Sequence, residues 1–300
     1  ATTMIMEDMA KPRTTHVLYR GQYDQKREQI TVGTPAFLPP LKKNGLTNRL
    51  TLARWLVNGW HPLTARVAVN RQWQRLFGVG MVKSTEEFGV QGDWPSHPEL
   101  LDWLAVHFAS NGWDTKALLK LIVTSATYRQ SSHTTPAQLL HDSENRLLAR
   151  GPRYRLDAEV IRDNALSVSG LLVERIGGPS VFPYHPKGLW LELNNRPNYS
   201  RTYKQDTGDK LYRRSMYTYW KRTVPPPSMA TFDAPEREFC LVRRSRTNTP
   251  LQAFVMLHDP QFVEAAYHLA HEMIRAAGDP EKRIEHGFRL VTSRFPNQKE

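Results

Sequence analysis

Apolar residues recur at helical spacing from Asn48 onward, and this pattern constrains the fold more than any other feature of the sequence. Several of these segments also carry helix boundary signals, such as the early proline and the final glycine of HPLTARVAVNRQWQRLFG. The tail adds three cap residues that are each followed by proline, at Thr249, Asp259 and Asp279. The sequence therefore predicts a mainly α, multi-helix fold with at least six helices.

Individual helix boundaries follow from the same signals. Ser96 followed by Glu99 fits a capping box, and Asp114 is placed to cap the next helix. The segment RLDAEVIRDNALSVSGLLVERIGG predicts one long helix that ends at Gly177 and Gly178. Local chemistry thus predicts these three boundaries.

Four stretches of different character divide the chain. Residues 1–48 are predicted to form short strands and a linker, and residues 49–177 the first half of a helical core. Residues 178–230 are predicted to form a long irregular excursion rich in Pro, Tyr and Trp, with one strand-like piece, YRRSMYTYW. An ionic loop and C-terminal helices follow in 231–300. We expect 49–300 to be one domain, and the strands and the strand-like piece to form a small β element.

The composition excludes several kinds of site. A single cysteine, Cys240, and the absence of CxxC and CxxCH motifs exclude a disulfide framework, a cysteine-clustered metal site and covalently attached haem in this chain. No apolar run approaches the roughly 18 residues of a membrane span. The net charge of +12 is dispersed, so we expect only weak, salt-sensitive binding to nucleic acid or other anionic polymers. No metal or other cofactor is predicted.

One stretch, TFDAPEREFCLVRRSRTNTPLQAFVML, places acidic residues just ahead of several arginines. The near-equal numbers of opposite charges predict an ion-paired loop that packs on the Arg66/Asn70 helix and the Glu159/Asp163 helix and forms the floor of a polar pocket. An exposed anion site beside the following helix N-terminus stays open as an alternative. The candidate pocket residues are Arg66, Asn70, Glu159, Asp163, Asp233, Arg237, Glu238, Arg243 and Arg246.

Arg66 and Asn70 lie four residues apart on a helical face that otherwise looks buried. They either hold neighbouring loops through backbone carbonyls or bind a ligand. Cys240 stands among apolar neighbours, which favours a small buried residue over a reactive thiolate activated by the arginines.

Glu159 and Asp163 share a helical face, as carboxylates that bind metals or act in acid–base catalysis often do. Arg155 and Arg162 are spaced to neutralise Glu159, so pairing along the helix explains the pattern equally well. Metal binding is therefore not predicted.

Four segments carry a resemblance to a known family. They are HPLTARVAVNRQWQRLFGVGMVKSTEEFGVQGDWPSHPELLDWL, RLDAEVIRDNALSVSGLL, ATFDAPERE and RRSRTNTPLQAFVMLHDPQFVEAA. From about Thr14 to Phe295 the chain resembles the planctomycete cytochrome-associated domain family of unknown function. That family usually forms the C-terminal part of secreted or periplasmic proteins, often with a cytochrome c module. The resemblance implies an extracytoplasmic location, partner domains in the same protein, and haem only on a separate module.

Two main functions remain open at this point. The first is a binding or docking module that serves the cytochrome-bearing remainder of the protein, with an anionic or carbohydrate ligand and a link to polysaccharide use. The second is a carbohydrate-active enzyme that uses a pair of carboxylates in an open cleft. Weak binding to nucleic acid or another anionic polymer is a third alternative, and it rests on net charge alone.

Overall fold

The structure is a computed structural model that describes residues 3–9, 11–41, 47–193 and 201–297. Within these ranges it contains eleven α-helices and one two-stranded sheet, and 43% of the described residues are helical. The predicted mainly α fold with a small β element is therefore confirmed. Parts of the predicted linker and of the predicted excursion lie outside the described residues.

The chain divides into two compact units, residues 1–154 and 155–300, called here the N-terminal and C-terminal units. The predicted domain boundaries, with 49–300 as one domain, stay a prediction. The N-terminal unit contains β1 (Thr15–Leu18), β2 (Lys26–Ile30), α1 (Arg49–Leu56), α2 (Thr64–Phe77), α3 (Pro98–Ser110), α4 (Thr115–Val123) and α5 (Pro136–His141). The C-terminal unit contains α6 (Ala158–Val168), α7 (Leu189–Glu192), α8 (Pro227–Thr231), α9 (Pro250–His258), α10 (Pro260–Ala276) and α11 (Pro280–Thr292).

The core of the N-terminal unit forms where α2 packs against α3 and α3 against α4. On α2, Trp73 and Phe77 stack with ring centroids 4.1 Å apart. Gly78 ends the helix at a φ of +84°, and a Cβ there would lie 2.7 Å from the Tyr154 ring. The ten buried residues of this core are Val69, Trp73, Phe77, Met81, Val82, Leu101, Leu104, Phe108, Leu118 and Ile122.

In the C-terminal unit, α10 is the central helix, because it contacts α6, α9 and α11. A smaller core brings α6 and α8 together through Ala158, Met229, Phe232 and Ala234. The helices of the tail begin as predicted, with Thr249, Asp259 and Asp279 at the N-cap and proline directly after each. Cap signals within one turn are local, so the sequence predicts them well.

Two helix boundaries differ from the prediction. Helix α3 begins at Pro98 with His97 at the N-cap, so Ser96 is not its cap residue. Helix α6 ends at Val168, well before Gly177. The Ser169 hydroxyl donates back to the Ala165 carbonyl at 2.8 Å, and Gly170 takes a φ of +71°. Ser169 and Gly170 thus end the helix, although the apolar run LLV that follows them suggests that it continues. Asp114, in contrast, caps α4 as expected.

The strand-like piece YRRSMYTYW is not a strand of the sheet. It begins at the last residue of one short 3-10 turn, Gly208–Tyr212, and contains a second, Ser215–Tyr217, with isolated bridges from Arg213 to Val173 and from Thr218 to Val181. The Arg213 guanidinium donates to carbonyls of the preceding loop, which holds this segment in turns. Among the described residues, the sheet consists of the N-terminal hairpin, with His16 opposite Gln29.

Candidate functional site

Asp233 ties together the two ends of the segment 233–249, called here the ionic loop. Its carboxylate accepts hydrogen bonds from the Arg155 guanidinium and from the Thr247 N–H at 2.7 Å. The Thr247 hydroxyl donates to the same carboxylate at 2.9 Å. Arg155 also donates to the Thr247 carbonyl at 3.0 Å. Because the acceptor sites of Asp233 are occupied in this way, its main role is to close the loop.

Gln252 joins this closure to the neighbouring helices. The side chain is buried on α9 and donates to the Thr231 carbonyl and to the Thr247 hydroxyl, both at 3.0 Å. Thr231 is the last residue of α8. The base of the ionic loop is therefore a hydrogen-bonded connection between α8 and α9.

Glu159 binds an arginine of the ionic loop. The Arg244 Nη1 atom lies 2.6 Å from Glu159 Oε2 and 3.7 Å from Asp157 Oδ2. The expectation that Arg155 and Arg162 neutralise Glu159 is wrong for both arginines. Arg155 binds Asp233, and the Arg162 guanidinium donates elsewhere. Helical spacing allows such pairs, but exposed pairs are weak and tertiary partners replace them.

Arg162 is a buried structural residue that connects several segments through its guanidinium, a role that is not among the predictions above. The side chain is almost fully buried, and it donates to Gln261 Oε1 at 2.6 Å and to the Leu211 and Arg213 carbonyls at 2.7 Å. Burial lowers the pKa of this guanidinium to about 10. The signal for its burial in the sequence is the spacing of four residues from Ala158, because both side chains belong to the buried face of α6.

Asp163 holds the turn that contains Ser215. Its Oδ1 atom accepts from the Ser215 N–H at 2.7 Å and from the Ser215 hydroxyl at 2.6 Å. Arg162 Nη1 lies 3.7 Å from the same oxygen. Asp163 and Glu159 therefore have separate partners, although they share a helical face.

The other candidate residues of the ionic loop are exposed. The Arg237 guanidinium lies 4.4 Å from the centroid of the Trp220 ring, and Glu238 pairs with Arg222 at 3.4 Å. Asp233, Arg237 and Glu238 contribute to a small depression of about 310 Å³. Arg243 and Arg246 also lie on the exposed side of the loop.

Cys240 is exposed, so its interpretation as a buried residue is wrong. The apolar neighbours that suggested burial, Phe239, Leu241 and Val242, are exposed as well. A short apolar run in a surface loop cannot be distinguished by composition from a buried one.

Asn70 is a structural residue of the N-terminal unit. Its side chain is fully buried, and its amide accepts from the Val82 N–H at 2.9 Å and donates to the Val82 carbonyl at 3.0 Å. Gly80 must lack a side chain here, since a Cβ would lie 2.6 Å from the Asn70 amide nitrogen. Asn70 thereby fixes the chain that follows α2. The predicted packing of the ionic loop on α2 stays a prediction.

Arg66 lies one turn before Asn70 and borders an open groove. Its Nε atom donates to Asp102 Oδ1 at 2.6 Å, and Nη1 donates to the Pro62 carbonyl at 2.5 Å. The hydrogen bond from Arg66 lowers the pKa of the Asp102 carboxyl and raises the pKa of Arg66 itself. Both side chains remain substantially exposed.

The groove beside this pair has a volume of about 1260 Å³ and lies entirely within the N-terminal unit. Val90 is fully exposed on it, and Trp94 and Phe37 are nearly so. Its other apolar lining residues are Leu38, Pro62, Leu63, Val82, Phe88, Pro95, Pro98 and Leu101.

Residues 84–95, called here the groove loop, build one side of the groove. The Ser84 hydroxyl donates to the Glu87 carbonyl at 2.9 Å and accepts from the Asp93 N–H at 2.7 Å. A Cβ on Gly92 would lie 2.2 Å from the Glu87 carbonyl oxygen, so the turn requires glycine. This loop is not among the site residues predicted above, although two glycines and a proline around an aromatic residue are a typical signal of a functional loop.

Two observations concern metals and membranes. Across the described ranges, no three His, Cys, Asp or Glu side chains are grouped so that they could hold a metal ion. None of the helices in those ranges combines the length and the apolar composition that a bilayer span requires.

Comparison with known protein families identifies the family of this chain. Residues 48–300 match the PSD1 family, described as a protein of unknown function (DUF1553). The chain belongs to this family. The match begins at the residue before α1 and covers every helix described above, while the N-terminal hairpin precedes it. No curated protein and no solved structure matches the chain.

Proposed function

We propose that this PSD1-family chain is a docking module whose groove binds a segment of another protein domain. One observation carries the proposal, namely the exposure of Val90, Trp94 and Phe37 around an open groove. Burying a large apolar side chain stabilises a complex by about 1.5–3 kcal/mol. Contiguous exposed apolar surface of this kind is typical of interaction sites, and tryptophan is enriched in them.

Two carboxylates, Asp233 of the ionic loop and Glu159 of the adjoining α6, support a non-catalytic role for that region. Asp233 is occupied by Arg155 and Thr247, and Glu159 by Arg244. Hydrogen bonds that satisfy a carboxylate in this way stabilise the fold and leave few lone pairs for a substrate.

The cellular setting belongs to the same proposal. The resemblance to the planctomycete cytochrome-associated domain supports a periplasmic or secreted protein that carries a cytochrome c module. In this setting the docked segment belongs to the cytochrome-bearing remainder of the protein, and the linked activity is polysaccharide use. Any haem is held by that separate module.

Site-specific photocrosslinking tests the docking proposal. A photoreactive benzoylphenylalanine replaces Val90 in the groove or, as the matched control, the equally exposed Ile176 in the C-terminal unit. We expect position 90 to crosslink to one defined peptide of a partner domain, identified by mass spectrometry, and position 176 not to do so. The same peptides at both positions, or none at position 90, would overturn the proposal.

A carbohydrate-active enzyme is the second candidate, because three carboxylates, Glu87, Asp93 and Asp102, border the open groove. Glycoside hydrolysis uses two carboxyl groups across a cleft. The release of reducing sugars from polysaccharides by the wild type, lost in Asp93→Asn and retained in Asp209→Asn, would favour this function. Asp209 is exposed in the C-terminal unit and serves as the control. Binding to anionic polymers stays a prediction from net charge.

A further inference from the structure

The groove differs in charge from the chain that contains it. Its charged lining residues are Arg66, Glu87, Asp93 and Asp102, which are three carboxylates against one guanidinium. The chain as a whole has a net charge of +12. The groove is therefore a local acidic region around an apolar floor, in a protein whose net charge favours anions.

Among the described residues, two of the three groove carboxylates, Glu87 and Asp93, have no arginine partner. Asp102 is bound by Arg66. Glu87 is exposed, and its Oε1 atom accepts the Gly89 N–H at 2.6 Å. Asp93 is exposed beside Trp94, and its backbone N–H is held by Ser84. Backbone hydrogen bonds therefore fix the positions of Glu87 and Asp93 on the groove loop.

Building on the proposed docking function, we infer that the occupant of the groove is a protein segment with apolar anchors flanked by lysine or arginine. The anchors would contact Val90, Trp94 and Phe37, and the flanking cations would pair with Glu87 and Asp93. An acidic segment would place like charges against these carboxylates. Such a charge pattern selects between partners more than it adds affinity.

Three fluorescent peptides of identical apolar sequence test this inference. Their flanking positions are all lysine, all glutamine or all glutamate, and binding to the 300-residue chain is measured by fluorescence anisotropy. We expect the lysine peptide to bind about fivefold more tightly than the glutamine peptide, with the glutamate peptide weakest. This order opposes the one that the net charge of the chain favours, so a general attraction cannot produce it.

Matched variants locate the effect. The variant Glu87→Gln/Asp93→Asn keeps the oxygen that accepts the Gly89 N–H and removes two charges from the groove. The control Glu99→Gln/Asp209→Asn removes two exposed carboxylates that do not line it. We expect the preference for lysine to disappear in the first variant and to persist in the control. Trp94→Ala should weaken all three peptides.

The outcomes separate the two claims. If the lysine and glutamine peptides bind equally and Trp94→Ala weakens both, the docking function stands and the basic partner is wrong. If none of the peptides binds, docking of a linear segment is overturned together with this inference. A preference for lysine that survives in Glu87→Gln/Asp93→Asn would also overturn the inference, because it would arise outside the groove.

Discussion

The Arg155–Asp233 and Arg66–Asp102 pairs combine the same two kinds of side chain in different surroundings. In the first pair, 20% of the arginine and 17% of the aspartate side chain are exposed, and the carboxylate also binds Thr247. In the second pair the exposed fractions are 36% and 53%. Burial raises the effective strength of an ion pair and the cost of removing one partner.

This contrast separates a stabilising pair from one that is available to a ligand. Hydrogen bonds close the base of the ionic loop, and its Asp233 and Arg244 pair with Arg155 and Glu159 outside the loop. The Arg66–Asp102 pair stands at the edge of an apolar groove, where solvent or a ligand can reach both side chains. Asp233 and Arg244 of the charge cluster therefore have structural partners, while the groove proposed as a binding site is bordered by only a few charged side chains.

Asp233→Ala should cause the largest loss of stability, about 3 kcal/mol in the free energy of unfolding. Removal of the carboxylate leaves the Arg155 guanidinium and the Thr247 N–H without their acceptor. Residue 233 also has a φ of +61°, which alanine adopts less readily than aspartate. Urea denaturation measures the loss, with the exposed Asp209→Ala as control. A loss below about 1 kcal/mol would contradict the closed network.

Asn70→Ala should destabilise the N-terminal unit by about 2–3 kcal/mol, because the buried Val82 N–H loses its side-chain acceptor and the Val82 carbonyl loses the Asn70 amide donor. This prediction tests the comparison of buried with exposed polar groups on a single helix, since Asn70 and Arg66 lie one turn apart on α2. The measurement is urea denaturation followed by hydrogen exchange of α2 amides. The exposed Asn248→Ala serves as control, and equal effects of the two substitutions would refute the role given to Asn70.

Arg244→Met should have an intermediate effect of about 1 kcal/mol. Arg244 is about one-third exposed and pairs with Glu159 at 2.6 Å, so solvent screens this pair more than the Asp233 pair. The free energy of unfolding from urea denaturation should rank this variant between Asp233→Ala and Arg66→Met. A different rank would contradict the relation between burial and stability on which the comparison of the two ion pairs is based.

Arg66→Met should change stability by less than about 1 kcal/mol, because its partner is more than half exposed. Its main expected effect is on Asp102, whose carboxyl pKa should rise towards the ordinary value once the arginine hydrogen bond is lost. Carbon-detected NMR titration of the Asp102 carboxyl measures this change. An unchanged titration would show that Arg66 does not set the pKa of Asp102.

The pH dependence of this small effect has a definite sign. The folded-state pKa of Asp102 is lowered, so its stabilising contribution is complete above the unfolded pKa of about 3.9. The contribution is lost as the pH falls through the lower folded-state value. The stability difference between wild type and Arg66→Met should therefore be largest at neutral pH and shrink in acid. A difference that grows in acid would contradict this linkage.

Elements whose signals lie within a few residues of each other can be predicted from the amino-acid sequence. Helical apolar periodicity predicted the mainly α fold, and the proline after each cap residue located the starts of α9, α10 and α11. Asp114 was identified as a cap because its carboxylate binds an N–H only three residues away. Such interactions depend on backbone geometry that the local sequence already specifies.

The pairing of the charged side chains and the exposure of individual residues depend on how the chain packs, and they could not be predicted from local sequence. Glu159 binds Arg244, 85 residues later, instead of an arginine on its own helix. Asp233 binds Arg155, which lies 78 residues earlier. Cys240 is exposed although its neighbours are apolar. The physical reason is that long-range pairs depend on how whole helices and loops pack, and local spacing only determines which side chains share a face.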